Sequence, residues 1–336
     1  MVGSPRWRHR VAWEAADMRF DENADLDTSS VDDLRGGGGG GGGGGLGGRV
    51  AIGGGGLGIV GLILFFVISA LGGGGGTTGG GGFALPGSGL TGLQSGQQAD
   101  GTAIAQSCRT GADANTKLDC EVVAVVNSLN GYWSDVFARS GQTYTAPRIT
   151  FFTGSVNTDG CGSATSDVGP FYCPADREVY IDLSFFEELE TRFGAQGGPF
   201  ARAYVIAHEY GHHVQNLLGT SSRVRAGDSG PTSGSVRLEL QADCYAGSWG
   251  SHATQVPTSS GRPLITDVTQ ADVKAALDTA SRIGDDYIQS NLGGGRVNSS
   301  QFTHGTSAQR EKWFSTGYQT GNPAQCDTFA RGVNLG

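Results

Sequence analysis

Residues 208–212 read His-Glu-Tyr-Gly-His, the H-E-x-x-H spacing. On a helix, positions i and i+4 share a face, so His208 and His212 can point two imidazole nitrogens at one Zn²⁺. Glu209, one residue beyond His208, falls beside such a metal rather than on it, where a carboxylate can take a proton from activated water. A catalytic zinc needs a third protein ligand and an open position. Glu239 lies 27 residues after His212, room for a turn and a returning helix, and Asp243 is four residues further on the same helical face. We therefore expect one catalytic Zn²⁺ held by His208, His212 and Glu239, with Glu209 as general base and later general acid. Asp243 is expected to accept from the second nitrogen of a zinc-bound histidine and fix its tautomer.

His252 and His304 compete with Glu239 for the third ligand position, but His252 falls in a Ser/Thr/Pro-rich stretch with no carboxylate partner. His304 precedes Gly305 and a new amphipathic helix beginning at Ser307, so it is the candidate donor to a developing oxyanion. Tyr210 and Tyr245 are weaker candidates for that role and are expected to pack. His213 sits about 100° round the helix from His212 and cannot share its face, which suits it to support or packing.

The elements that must position these groups are legible from periodicity. Apolar residues recur at helical spacing from Pro199 to Gly219, and a second helix runs over residues 235–250. Residues 148–154 and 179–186 alternate as β-strands, and Val179–Leu183 is expected to be the sheet edge that pairs with substrate. The pattern predicts an α+β domain with a small sheet, an active-site helix and a glutamate helix. A carboxylate helix following H-E-x-x-H is the His₂Glu arrangement of thermolysin-type zincins.

Composition describes the rest of the chain. Of its 60 glycines, 33 fall in residues 1–107, including the unbroken run 36–45. Residues 1–50 are expected to form a disordered acidic and glycine-rich cytoplasmic tail, and 72–107 a flexible linker. Met18 offers an alternative start. Residues 51–71 carry no charge and are long enough for one transmembrane helix. Arg35 and Arg49 precede that stretch, and no basic residue follows it before Arg109, which predicts a single-pass membrane protein with its N-terminus cytoplasmic and residues 108–336 outside. All six cysteines (Cys108, Cys120, Cys161, Cys173, Cys244, Cys326) follow the apolar stretch, as suits disulfides on an exported domain. Fifteen pairings are possible; local closure favours Cys108–Cys120 and Cys161–Cys173, leaving Cys244–Cys326. The net charge is −9 with no basic stripe, which argues against nucleic acid as a partner. The substrate expected is a peptide or protein.

Four motifs in order carry a resemblance: residues 168–186 around Gly-Pro-Phe-Tyr-Cys-Pro, His208-EYGHHVQ, Arg237-LELQADCYAG, and Phe302-THGTSAQR. Together they resemble the neutral zinc metallopeptidases of bacterial membranes, over about residues 100–329. Met18-RFDENADLD and the glycine-rich stretch after it also resemble that family's N-terminus. The resemblance implies a single-pass protein with an exported zinc peptidase domain and implies no substrate. The competing readings are a non-catalytic envelope binding protein with a structural zinc, and a zinc amidase acting on cell-wall peptides.

Overall fold

Pro199 opens a helix running to Leu217, because its fixed φ suits the first turn and its missing N–H would be unpaired there. Gly219, left-handed at φ 72°, ends it. The computed structural model describes residues 18–35, 101–225, 227–258 and 261–336. Among the described residues the helices are α1 (Gly101–Ser107), α2 (Gly111–Ala114), α3 (Leu118–Arg139), α4 (Phe185–Thr191), α5 (Pro199–Leu217), α6 (Gly234–His252), α7 (Gln270–Arg282), α8 (Asp285–Asn291) and α9 (Ser307–Thr320). The strands are β1 (Arg19–Phe20), β2 (Val31–Asp33), β3 (Arg148–Phe152), β4 (Ser155–Asn157), β5 (Ser163–Thr165), β6 (Phe171–Cys173), β7 (Glu178–Asp182) and β8 (Ile265–Asp267).

The main sheet has the order β2-β3-β7-β6. β2, β3 and β7 run parallel, with Val31 beside Ile149 and Ile149 beside Val179. β6 is antiparallel to β7 and forms the edge, lying against α5. β4–β5 is a separate hairpin, and β1 pairs with β8. Ile149, Phe151, Val179 and Ile181 are fully buried and pack with the Val122–Val126 run of α3 and with α5 in one core.

Glycines let the helices around the site approach closely. A Cβ on Gly211 of α5 would come within 2.8 Å of the Ala242 Cα on α6. On the other side of α6, a Cβ on Gly247 would overlap the Phe314 carbonyl of α9, and one on Gly317 would overlap the Cys244 carbonyl. The disulfides are Cys108–Cys120, Cys161–Cys173 and Cys244–Cys326, the last tying α6 to the segment after α9.

Four expectations need correction. Residues 18–35 are not a disordered tail: β2 is a strand of the main sheet, and Met18, Phe20, Ala24 and Val31 are buried in the common core. The domain also begins earlier than residue 108, since 101–107 form α1 rather than linker. Val179–Leu183 is not the sheet edge, because β7 is paired on both sides, by β3 and β6. A cytoplasmic N-terminus opposite an exported domain does not fit a fold in which both supply strands to one sheet. The expected membrane span, residues 51–71, lies outside the described residues, as do residues 1–17, 36–50 and the linker 72–100. Among the described residues no helix is long and apolar enough to cross a membrane.

Candidate metal centre

Two helices build the site. α5 presents His208, Glu209 and His212; α6, packed against it at Gly211, presents Glu239 and Asp243. All five side chains are buried. His208 Nε2 lies 3.1 Å from His212 Nε2 and 3.1 Å from a Glu239 oxygen, and His212 Nε2 lies 3.4 Å from the other Glu239 oxygen. The three donor atoms are within 4.8 Å of one another, close enough for one ion.

Neighbours set the tautomers. His208 Nδ1–H donates to Asp243 Oδ1 at 2.8 Å, and His212 Nδ1–H donates to Gln215 Oε1 at 2.9 Å. A carboxylate and an amide oxygen can only accept, so both Nδ1 atoms carry a proton and both Nε2 atoms are turned toward Glu239. Gln215 is itself held by donating to the Leu238 carbonyl at 2.6 Å and to Gln241 at 3.2 Å. Two neutral imidazoles and a carboxylate converging on one point form a donor set that a zinc ion fits.

Asp243 is the hub behind the ligands. Arg310 of α9 grips it bidentately, through Nε and Nη2 at 2.9 Å each, and Tyr204 donates to it at 2.7 Å. Burial would push the Asp243 carboxyl up, but the Arg310 and His208 charges and hydrogen bonds hold it down at about 2. Burial likewise opposes charge on His208, yet Asp243 and Glu239 on its two sides push it up to about 10. The two carboxylates thus favour positive charge at Nε2, the position a bound metal cation would take in place of the proton. Glu239 is held below the ordinary carboxylate range against its burial, chiefly by His212, with His304 and His208 adding.

Glu209 behaves differently. Burial pushes its carboxyl up to about 7, with the His208 charge opposing and the Glu239 charge adding. The Tyr172 backbone N–H on edge strand β6 donates to it, while Oε2 is buried without a hydrogen-bond partner among the described residues. A carboxyl near neutrality with a free oxygen is equipped to take and return a proton. His304 lines the same cleft. Asp285 Oδ2 clamps its loop by accepting from the backbone N–H groups of Thr303, His304 and Gly305 at 2.7–2.9 Å. Burial works against charge on His304, but Glu239 and Asp285 raise its pKa, and its Nε2 is buried without a partner among the described residues.

Comparison with known proteins agrees with this chemistry. The family described as "Putative neutral zinc metallopeptidase" matches residues 18–329. The chain belongs to that family. It is 51% identical to an uncharacterized protein of Mycobacterium tuberculosis over 224 residues, 66% of this chain and 74% of the relative. It is 41% identical to the uncharacterized protein YpfJ of Escherichia coli K12 over 252 residues, 74% of this chain and 83% of YpfJ. No solved structure matches it.

In this family member the five expected helix residues come together, and His304 joins them across the cleft. His252 does not: its Nδ1–H donates to the Ser248 carbonyl at the end of α6, and its ring lies beside Tyr132. Tyr210 is fully buried, and Tyr245 packs edge-on to Trp133. His213 bridges the helix to the sheet, with Nε2–H donating to the Thr145 carbonyl at 2.7 Å and Nδ1 accepting from Tyr172 OH at 3.0 Å. Sequence reading passed over Gln215, Tyr204, Arg310 and Asp285. Helical spacing could have flagged the first two, at three residues after His212 and four before His208. No spacing rule connects Arg310 to an aspartate 67 residues away.

Proposed function

We propose that the chain is a zinc-dependent endopeptidase with a zincin-like active site. The observation that carries this reading is the convergence of His208, His212 and Glu239 with Glu209 alongside. A structural zinc site has no use for a basic carboxylate with a free oxygen next to its ligands. Bound zinc supplies Lewis acidity, polarising a carbonyl and acidifying water. Glu209 takes the proton from the attacking water and returns it to the leaving amine. His304 donates from Nε2 to the developing oxyanion. Asp243, steadied by Arg310 and Tyr204, keeps the His208 lone pair on the metal side, and Gln215 does the same for His212. The three disulfides support an exported, oxidising location for the described fold, and residues 51–71 supply an apolar segment for membrane attachment.

Glu209→Gln is the direct test. Zinc should stay at one equivalent by elemental analysis, while cleavage of a proteome-derived peptide library falls at least about 100-fold. Cleavage at the wild-type rate would remove Glu209 from the mechanism. A wild-type protein that binds zinc and cleaves no peptide would leave the reading without support.

A further inference from the structure

The cleft that holds the metal ligands is lined by residues of two chemical kinds. It is open to solvent, with about 70 Å³ of room for water-sized groups. Its polar lining is His208, Glu209, Glu239, His304 and Arg310; its apolar lining is Val168, Pro170, Phe185, Phe193, Ile283 and Ile288, with Tyr204 and Val205 of α5 also on the wall and the Phe185 and Phe193 rings 6.4 Å apart. The six of the apolar lining come from three separate places in the fold. Val168 and Pro170 lead into edge strand β6, Phe185 starts α4 with Phe193 just after it, and Ile283 and Ile288 lie where α7 passes into α8. Phe185, Ile283 and Ile288 line the cleft and are only partly buried.

The apolar lining carries no charge to offer a substrate side chain. Arg310 is committed to Asp243 on both arms, and His304 is paired with Asp285. An acidic or basic side chain entering against the apolar lining would lose its hydration with no partner to replace it. A leucine or phenylalanine side chain would bury its surface against aliphatic and aromatic walls.

We propose that this apolar lining forms the specificity subsite of the enzyme, taking a large hydrophobic side chain (Leu, Ile, Met or Phe) from a residue flanking the scissile bond. The inference deepens the endopeptidase reading and rests on it for its place in catalysis. The subsite itself can be measured as binding, without turnover. β6 is one edge of the sheet, and the segment leading into it supplies one wall. A peptide laid along that edge would therefore carry its side chain over the pocket.

The test uses the full-length, zinc-loaded Glu209→Gln protein and blocked hexapeptides that differ only at one central residue. Calorimetric titration should show Leu and Phe peptides binding at least about 10-fold tighter than the Ala, Asp and Lys peptides. Adding Ile288→Asp should abolish that preference and improve the Lys peptide. Ile288→Ala, a milder change, should weaken the Leu peptide several-fold, with zinc content and melting temperature confirming that each variant folds. Equal affinities across the series, no binding by any peptide, or a Leu preference untouched by both Ile288 variants would each overturn the proposal. Selective binding with no cleavage by the wild type would sink the peptidase reading and leave the subsite standing. Cleavage without preference for a flanking hydrophobic residue would do the reverse.

Discussion

Arg310→Met puts the buried network behind the metal ligands to a quantitative test. Arg310 and Asp243 are 2% and 0% exposed and meet through two 2.9 Å contacts, so the substitution strands a carboxylate in the interior. Breaking a buried pair by removing one partner costs about 3–5 kcal/mol. For a domain of this size each kcal/mol lowers the melting temperature by about 2–4 °C, so a loss of roughly 10 °C is expected. The stranded Asp243 would then bind a proton far more readily and stop fixing His208, weakening zinc by about 10–100-fold. Adding Asp243→Asn removes the uncompensated charge yet keeps an acceptor for His208. The double variant should therefore recover at least about 1 kcal/mol over Arg310→Met alone. Denaturant unfolding of oxidised, zinc-loaded protein gives the stabilities, and competition with a zinc chelator gives the affinities. A melting temperature within about 2 °C of wild type, or strictly additive losses in the double variant, would refute the account of Asp243 as a charge held by Arg310.

Two further predictions concern the sheet. Burial pushes His213 down to about 4, with its Thr145 hydrogen bond opposing, from 6.5 in the open chain. A native state that keeps this imidazole neutral loses stability as pH falls from 6.5 towards 4, by about 3 kcal/mol at 1.36 kcal/mol per unit, and keeps it above 6.5. Denaturant unfolding at pH 7.5 and 4.5 should show that part of the acid loss missing from His213→Gln. An unchanged acid loss would place the sensitivity elsewhere. Deleting residues 1–35 removes buried Met18, Phe20 and Val31 and the outer parallel strand β2, at a cost of about 6 kcal/mol at roughly 2 kcal/mol per side chain. The product should be insoluble or lack native near-ultraviolet circular dichroism. A soluble, native-like truncate would contradict the packing of residues 18–35.

The ligand pair was legible because a helix repeats every 3.6 residues, which makes H-E-x-x-H and the Glu239–Asp243 spacing geometric statements in themselves. The returning helix needed only a length of chain and a second amphipathic run. Residues 18–35 were hidden for a physical reason. Their apolar residues, Met18, Phe20, Ala24 and Val31, are scattered through an acidic stretch, and β2 exists only by pairing with β3. Window composition registers the acids, whereas the fold uses the isolated side chains. The edge strand was misjudged on similar grounds, since alternation in Val179–Leu183 says it is a strand but not how many neighbours it has. Arg310 and Asp285 show the limit most plainly: each acts on a partner fixed only by tertiary packing.

The glycine seam between helices bears on how other chains carrying H-E-x-x-H should be read. The histidines and Glu239 identify what could bind a metal, but Gly211 sets how near α5 comes to α6, and Gly247 and Gly317 set how near α9 brings Arg310. A β-carbon at any of the three would leave every ligand in the sequence and move the helices that carry them. A chain that kept the motif but lost the seam would pass a motif search and fail as a metal site. The absence of three side chains is thus as diagnostic of a working copy as the presence of three ligands.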